Sequence, residues 1–469
     1  MQPSGDRPVV ISFRLEHLLG WTITIGLCLV PVILWLQIHP LSTITGFPGI
    51  MLSIGRLTGL VGMVMYSLNL IYATRWRFLE YWFGGLNRVY IAHHLLGGLA
   101  LIFLSFHPLF LALRYVKTSL SQAALMLIPN GLFPISALFS PDSNLHHVVL
   151  EQWAIFLGIM SFVGMTVLLL VTFFVQIPYR VWLITHKLLG PVFFLAGLHV
   201  LFITSDTTSH AALRYYMLAV CGLGIAAFTY RTLISNIVVR RYRYIVENVA
   251  AVGGNVTMVV MKPKQKGISY DPGQFVFVRF LHAQQDHISA EWHPFSISSA
   301  PSDGYLKLSI KALGDYTNNL STLQPGTEAE IEGAYGRFSY TKNRNKKQIW
   351  VGAGIGITPF ISMAKSLPAE SGYAIDLYYA VRNRSEIIDW PSLDDAANQP
   401  DVGLRIFPYI GDEQQGYLSA DYIEQVSGSL ADKDVYICGP PPMMRSLRSQ
   451  LRAKGIPATS IHTEEFGMA

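Results

Sequence analysis

Six apolar runs, each reaching or approaching the ~20 residues that carry a helix across a bilayer, fill the first half of this chain. They lie near 18–38, 49–73, 89–115, 149–175, 181–203 and 212–238. No other feature constrains the fold so tightly, because a backbone in hydrocarbon must satisfy its own hydrogen bonds and a helix does so within one segment. The reading is a multi-domain membrane protein: an N-terminal segment over 1–17, then a six-helix transmembrane bundle over 18–239. No small-residue cleavage site follows the first run, so a retained span is expected there rather than a signal peptide. The net charge of +5 is mild and no basic block carries interleaved aromatics, so nucleic acid is not an expected partner. Cys28, Cys221 and Cys438 form no pairing pattern and no CxxC, which argues against a disulfide framework and a zinc site.

Charge sets the expected orientation, since Lys and Arg stay on the cytoplasmic side. With the N-terminus inside, the inner segments hold Arg7, Arg14, Arg75, Arg77, Arg88, Arg180, Lys187, Arg231, Arg240, Arg241 and Arg243. The outer loops hold Arg114, Lys117 and Arg214. That asymmetry places the second half in the cytoplasm and the outer loop 117–148, with Pro129, Pro134 and Pro141, over the far mouth of the bundle. After RRYRY the pattern changes. Short β-branched runs separated by turn residues read as an antiparallel β-barrel over 240–345. From Gln348, strand, glycine loop, helix and strand follow in turn, a βαβ pattern that predicts an α/β parallel-sheet nucleotide-binding domain over 346–469.

Histidines inside the spans carry the first chemical signal, because ionisable groups at membrane depth are costly and face the bundle interior for a reason. His93 and His107 are 14 positions apart, ~21 Å along a helix and nearly on one face; His186 and His199 are 13 apart, ~20 Å. The heights match and the azimuth does not, so the fifth span should be bent or over-wound near Pro191. Pairing His93 with His186 and His107 with His199 makes two tiers suited to bis-imidazole ligation of two b-type haems, with His94 an alternative to His93. Isolated packing histidines are the plainer alternative. Four in matched pairs weigh against it.

The soluble half carries candidate cofactor motifs. In HPFSISSAP, Phe295 offers a ring surface and Ser296 a hydroxyl for the flavin N5 region, with His293 and Pro294 before them. In IKALGDYT, Lys311, Gly314 and Thr317 suit a pyrophosphate. GAGIGITP brings Gly352, Gly354, Gly356, Thr358 and Pro359 to a strand-to-helix turn where backbone can approach a phosphate. Arg382 and Arg384 end the next strand where a ribose 2′-phosphate would lie, and no acidic residue intervenes between Tyr378 and Ser385, which favours NADPH over NADH. CGPPPM puts Cys438, Gly439 and Pro440 at another strand end, and Phe466 near the C-terminus offers a ring to cover the flavin. Ordinary strand-turn-helix structure is the alternative for each stretch alone.

Together, HPFSISSAP, KALGDYT, GAGIGITPF and CGPPPM resemble the flavin and nucleotide motifs of the ferredoxin-reductase superfamily, in the version found in NADPH oxidases and ferric reductases. The paired histidines resemble that family's transmembrane domain, and the resemblance covers roughly 50–469. It implies an electron path from NADPH through FAD and an inner haem to an outer haem and an acceptor beyond the membrane. The family's His-Pro-Phe-Thr motif is here His293, Pro294, Phe295 and Ser296, with the hydroxyl kept. Arg56 resembles the arginine beside the outer haem of superoxide-forming members, whereas Leu111 stands where eukaryotic members have a second histidine. Phe193 or Phe194 would sit between the tiers. Dioxygen, a ferric chelate and a periplasmic partner protein remain three possible acceptors. No calcium-binding loop or proline-rich ligand run is found, so no regulatory subunit is expected, and a bacterial inner-membrane enzyme is the form implied.

Overall fold

The computed structural model describes residues 9–128, 134, 143–283, 288–414 and 416–464, without the side chains of 9–17, 143–146 and 179. Pro129 and Pro141 of the long loop, and Phe466, lie outside the described residues. The chain divides into two compact units, Leu15–Phe83 with Arg88–Val238 in one, and Val239–Ala469 with two short earlier pieces in the other.

Among the described residues, six helices of the first unit are long and apolar enough to cross a membrane: Leu18–Ile38, Gly46–Tyr72, Leu86–Leu113, His147–Phe174, Arg180–Phe202 and Ala211–Val238. Large side chains such as Ile25, Leu29, Phe174, Leu223 and Ile237 point away from the bundle, the apolar exterior that lipid requires. The first span begins well before its apolar stretch, within a continuous helix Val9–Ile38. The fifth is interrupted. Helix Tyr179–Lys187 ends, Leu188 turns, and helix Leu189–Phe202 resumes. Pro191 has no N–H to offer the carbonyl four residues back, at Lys187, and its ring crowds that oxygen, so the break falls one turn before the proline.

In the second unit, β1 (Arg241–Ala251), β2 (Val256–Pro263), β3 (Phe275–Phe280), β4 (His293–Ser296), β5 (Leu306–Lys311) and β6 (Glu328–Tyr335) form an antiparallel sheet in the order β4-β3-β6-β1-β2-β5. Its edges meet where Ile297 bridges Leu308 and the Ser298 N–H donates to Lys307 O, which curls the sheet around a core of Val259, Met261, Val278 and Ile331. Then β7 (Lys347–Ala353), β8 (Ala374–Val381), β9 (Leu404–Ile410), β10 (Asp434–Cys438) and β11 (Ile461–Glu464) make a parallel sheet ordered β11-β10-β7-β8-β9. Apolar clusters bury both of its faces, as crossover helices demand. The Ser362 hydroxyl donates to Ser299 O at 2.6 Å and Lys365 pairs with Asp303 at 2.5 Å, joining this sheet's first helix to the barrel.

Candidate functional site

The four span histidines form two pairs. His93 and His186 have ring centroids 6.0 Å apart, and His107 and His199 have theirs 6.4 Å apart. A metal bound by one nitrogen of each ring at ~2.0 Å sets two imidazole centres about 6 Å apart, so both spacings would suit one metal ion shared by the two rings. Leu188, at φ −66 and ψ −15, separates the two helices of the fifth span between His186 and His199.

The far nitrogens are largely committed. His107 Nδ1 donates to Gly55 O at 2.7 Å, His199 Nδ1 to Ala154 O at 2.8 Å and His93 Nδ1 to Asn69 O at 3.0 Å. A donating Nδ1 leaves the Nε2 lone pair for a metal and fixes the ring's direction. His186 differs: its Nδ1 is buried without a hydrogen-bond partner, and the ring is stacked on Trp182 at 5.0 Å. His94 is more exposed, its ring 5.7 Å from that of His93. Glycines make the room. A Cβ on Gly59 would lie 2.5 Å from His107 Nδ1, and one on Gly158 would lie 2.7 Å from His199 Nδ1. The histidines, their carbonyl anchors and these glycines fit haem ligation as a set.

Of the two phenylalanines, Phe193 is fully enclosed, edge-on to Tyr66 at 4.9 Å, while Phe194 is 47% exposed on the outside of the bundle. Leu111 packs where a Cβ on Gly55 would touch it, beside the His107 anchor. Arg56 follows Gly55 directly, and its guanidinium donates to Asp206 Oδ1 at 2.8 Å. Trp35 Nε1 donates to Asp206 Oδ2 at 2.7 Å, and His39 Nε2 lies 3.1 Å from Oδ1. Sequence reasoning missed Asp206, Trp35 and His39. One acid in the loop TSDTTSH was the available signal.

The flavin motifs converge in the barrel. His293 of β4 stacks on Tyr316 at 3.6 Å, which brings HPFS against the helix Asp315–Asn319. Burial lowers the pKa of His293, with Glu291 opposing, and burial raises that of Tyr316. Phe295 and Ser296 are half-buried on the edge strand. The Thr317 hydroxyl accepts from the N–H groups of Leu313 (2.9 Å) and Gly314 (3.1 Å), so it shapes the turn. A Cβ on Gly314 would meet nothing within 4 Å, and Leu313 is 80% exposed, which leaves that turn open to a ligand beside Lys311. The open turn next to the His293–Tyr316 stack fits a flavin nucleotide.

The nucleotide motifs meet at the C-terminal ends of β7, β8 and β10, the edge where such sheets bind ligands. Gly356 is held so close that a Cβ would lie 2.3 Å from Cys438 O, and one on Gly439 would lie 2.7 Å from Ala353 Cβ, so the two loops need glycine to nest. Gly354, at φ +53, is partly exposed, whereas Gly352, Gly356, Thr358 and Pro359 are buried. The Thr358 hydroxyl donates to Ile355 O at 2.9 Å. Cys438 is fully buried, its thiol pKa pushed up by burial and then by Glu464; Pro440 is exposed beside it. Arg384 donates to both oxygens of Glu413, at 2.5 and 2.9 Å, and Arg382 lies 3.7 Å from Asp412. These acids lie outside the stretch between Tyr378 and Ser385, and the fold returns them to its arginines. All four side chains are well exposed, so the pairs are easily exchanged for another anion.

Three family models match the chain. Residues 58–197 match a ferric reductase like transmembrane component, 241–343 an FAD-binding domain and 350–449 an oxidoreductase NAD-binding domain. Among curated relatives, the ferredoxin reductase component of 3-ketosteroid-9-alpha-monooxygenase from Mycobacterium tuberculosis is 31% identical over 42% of this chain and 55% of its own length. NADPH oxidase 1 of Mus musculus is 36% identical over 24% of this chain and 20% of its own. Respiratory burst oxidase homolog protein B of Solanum tuberosum is 36% identical over 25% and 16%. The chain thus spans about half of the first of these relatives and less of the other two.

Proposed function

This chain belongs to the NADPH oxidase and ferric reductase-like family, with a ferredoxin-reductase-type C-terminal half, and on that premise we propose that it passes electrons from cytosolic NADPH across a membrane to dioxygen, forming superoxide. The observation that carries the reading is the pair of imidazole spacings, 6.0 and 6.4 Å, in one apolar bundle. His93 with His186 and His107 with His199 would hold two b-type haems. His293, Pro294, Phe295, Ser296, Lys311, Gly314 and Thr317 would hold FAD, with Phe466 covering it. NADPH would rest on Gly352, Gly354, Gly356, Thr358, Pro359, Gly439 and Pro440, with Arg382 and Arg384 at its 2′-phosphate and Cys438 at the strand end behind it. When bound, the flavin supplies exchange between a two-electron hydride and single electrons, and the haems supply one-electron relay.

The protein's own part is placement. Backbone carbonyls direct the histidine nitrogens, the apolar bundle excludes water, and Arg56 stands beside the His107 anchor as the charged group at the acceptor end. One NADPH yields NADP⁺, one proton and two electrons, enough to turn two dioxygen molecules into two superoxide anions. The test is NADPH oxidation by the purified chain with FAD and haem, given dioxygen, ferric chelate or neither. A dismutase-sensitive signal with dioxygen is expected. NADPH oxidation with haem reduction and no such signal would reassign the acceptor to a ferric chelate or a partner protein.

A further inference from the structure

Asp206 has no place in the motifs above, yet residues of the first two spans converge on it. Its two carboxylate oxygens accept from Trp35 Nε1 at 2.7 Å and Arg56 Nη1 at 2.8 Å, and His39 Nε2 lies 3.1 Å from Oδ1. The Asp206 side chain is 13% exposed, that of Arg56 30%, and Trp35 is 1% exposed, so the pair is partly withdrawn from solvent. Its level in the bundle is set independently: Gly55, adjacent to Arg56, provides the carbonyl that anchors His107. The cation next to that anchor is therefore already matched by a carboxylate.

We propose that Asp206 is a positioning and specificity-determining residue, which holds Arg56 and cancels its charge so that the acceptor end favours an uncharged oxidant over an anionic metal chelate. This rests on the proposed reading that the His107–His199 tier delivers electrons. A lone guanidinium in a partly buried site draws anions strongly, because charge interactions there are screened far less than in water. Paired with Asp206, the same guanidinium presents a dipole. Dioxygen is indifferent to that difference and a ferric chelate anion is not. Electron balance is the same for both acceptors: the two electrons of one NADPH reduce two dioxygens to superoxide or two ferric chelates to ferrous, with one proton released.

The experiment compares the full chain, haem- and FAD-loaded, with D206N, D206E and the double variant R56Q/D206N. NADPH-dependent rates are measured with dioxygen and with ferric EDTA, at low and at physiological salt. In D206N the ratio of ferric EDTA reduction to superoxide formation should rise about tenfold at low salt and shrink as salt is added. D206E should stay near the parent ratio, and removing Arg56 as well should return the ratio toward it. A rise in D206N that the double variant retains, or no change of ratio in a haem-replete D206N, overturns the proposal alone. A parent chain that reduces neither acceptor overturns the electron-delivery reading and this inference with it.

Discussion

The two histidine tiers have matching spacing but are held in different ways. At His107 and His199 both rings donate to backbone carbonyls of neighbouring spans, and each ring occupies space that a glycine, Gly59 or Gly158, leaves open. At the other tier His93 is anchored to Asn69 O, while His186 has a buried Nδ1 without a partner, a stacked Trp182 and a helix break two residues away. An anchored imidazole is pre-oriented for a metal, whereas an unanchored one must be held by packing. One tier is thus oriented by anchors on both rings. The other has one ring, that of His186, held by packing alone.

The largest test removes ligands. His199→Ala and His186→Ala should each lower haem from two per chain to one, read as pyridine haemochrome against protein, while flavin-dependent dye reduction survives. Loss of both haems, or of neither, in either variant would break the pairing. Next come the glycines. Gly158→Val or Gly59→Val should weaken haem at the His107–His199 tier by about 10- to 100-fold, and Gly222→Val, where a Cβ meets nothing within 4 Å, should retain it. Equal haem retention in all three would mean that ring placement does not depend on those gaps.

A smaller effect is expected at the unanchored ligand. Trp182→Ala removes a ring stack of about 0.5–1.5 kcal/mol, so haem should leave the His93–His186 tier up to about tenfold faster when apomyoglobin competes for it. An unchanged rate would show that something besides stacking holds His186. Arg384→Ala should alter neither tier and should raise KM for NADPH several-fold more than for NADH, since a guanidinium fork matches a phosphate. An equal rise for both would remove it from the 2′-phosphate.

Much of this was legible in the chain before folding. Spans show in hydropathy because lipid leaves a helix few alternatives, and the structure's six apolar helices fall within a few residues of the runs read from sequence. Strand runs and the glycine loop were legible for the same local reason, since turn residues and β-branched residues act on their own backbone. The acidic partners of Arg382 and Arg384 were not legible. Asp412 and Glu413 lie some thirty residues downstream and return only through the parallel pairing of β8 with β9.

By itself the sequence determined where the helices long and apolar enough to cross a membrane lie, where the strands fall and that four histidines occupy matched heights, because each depends on short-range periodicity and burial cost. Only the tertiary structure brings the rings of His93 and His186 to 6.0 Å and those of His107 and His199 to 6.4 Å, since these distances depend on how the spans pack. It also decided that Asp206 meets Arg56, Trp35 and His39, a convergence of residues up to 171 positions apart. Contacts of that range are set by the packing of whole helices, which no local pattern encodes.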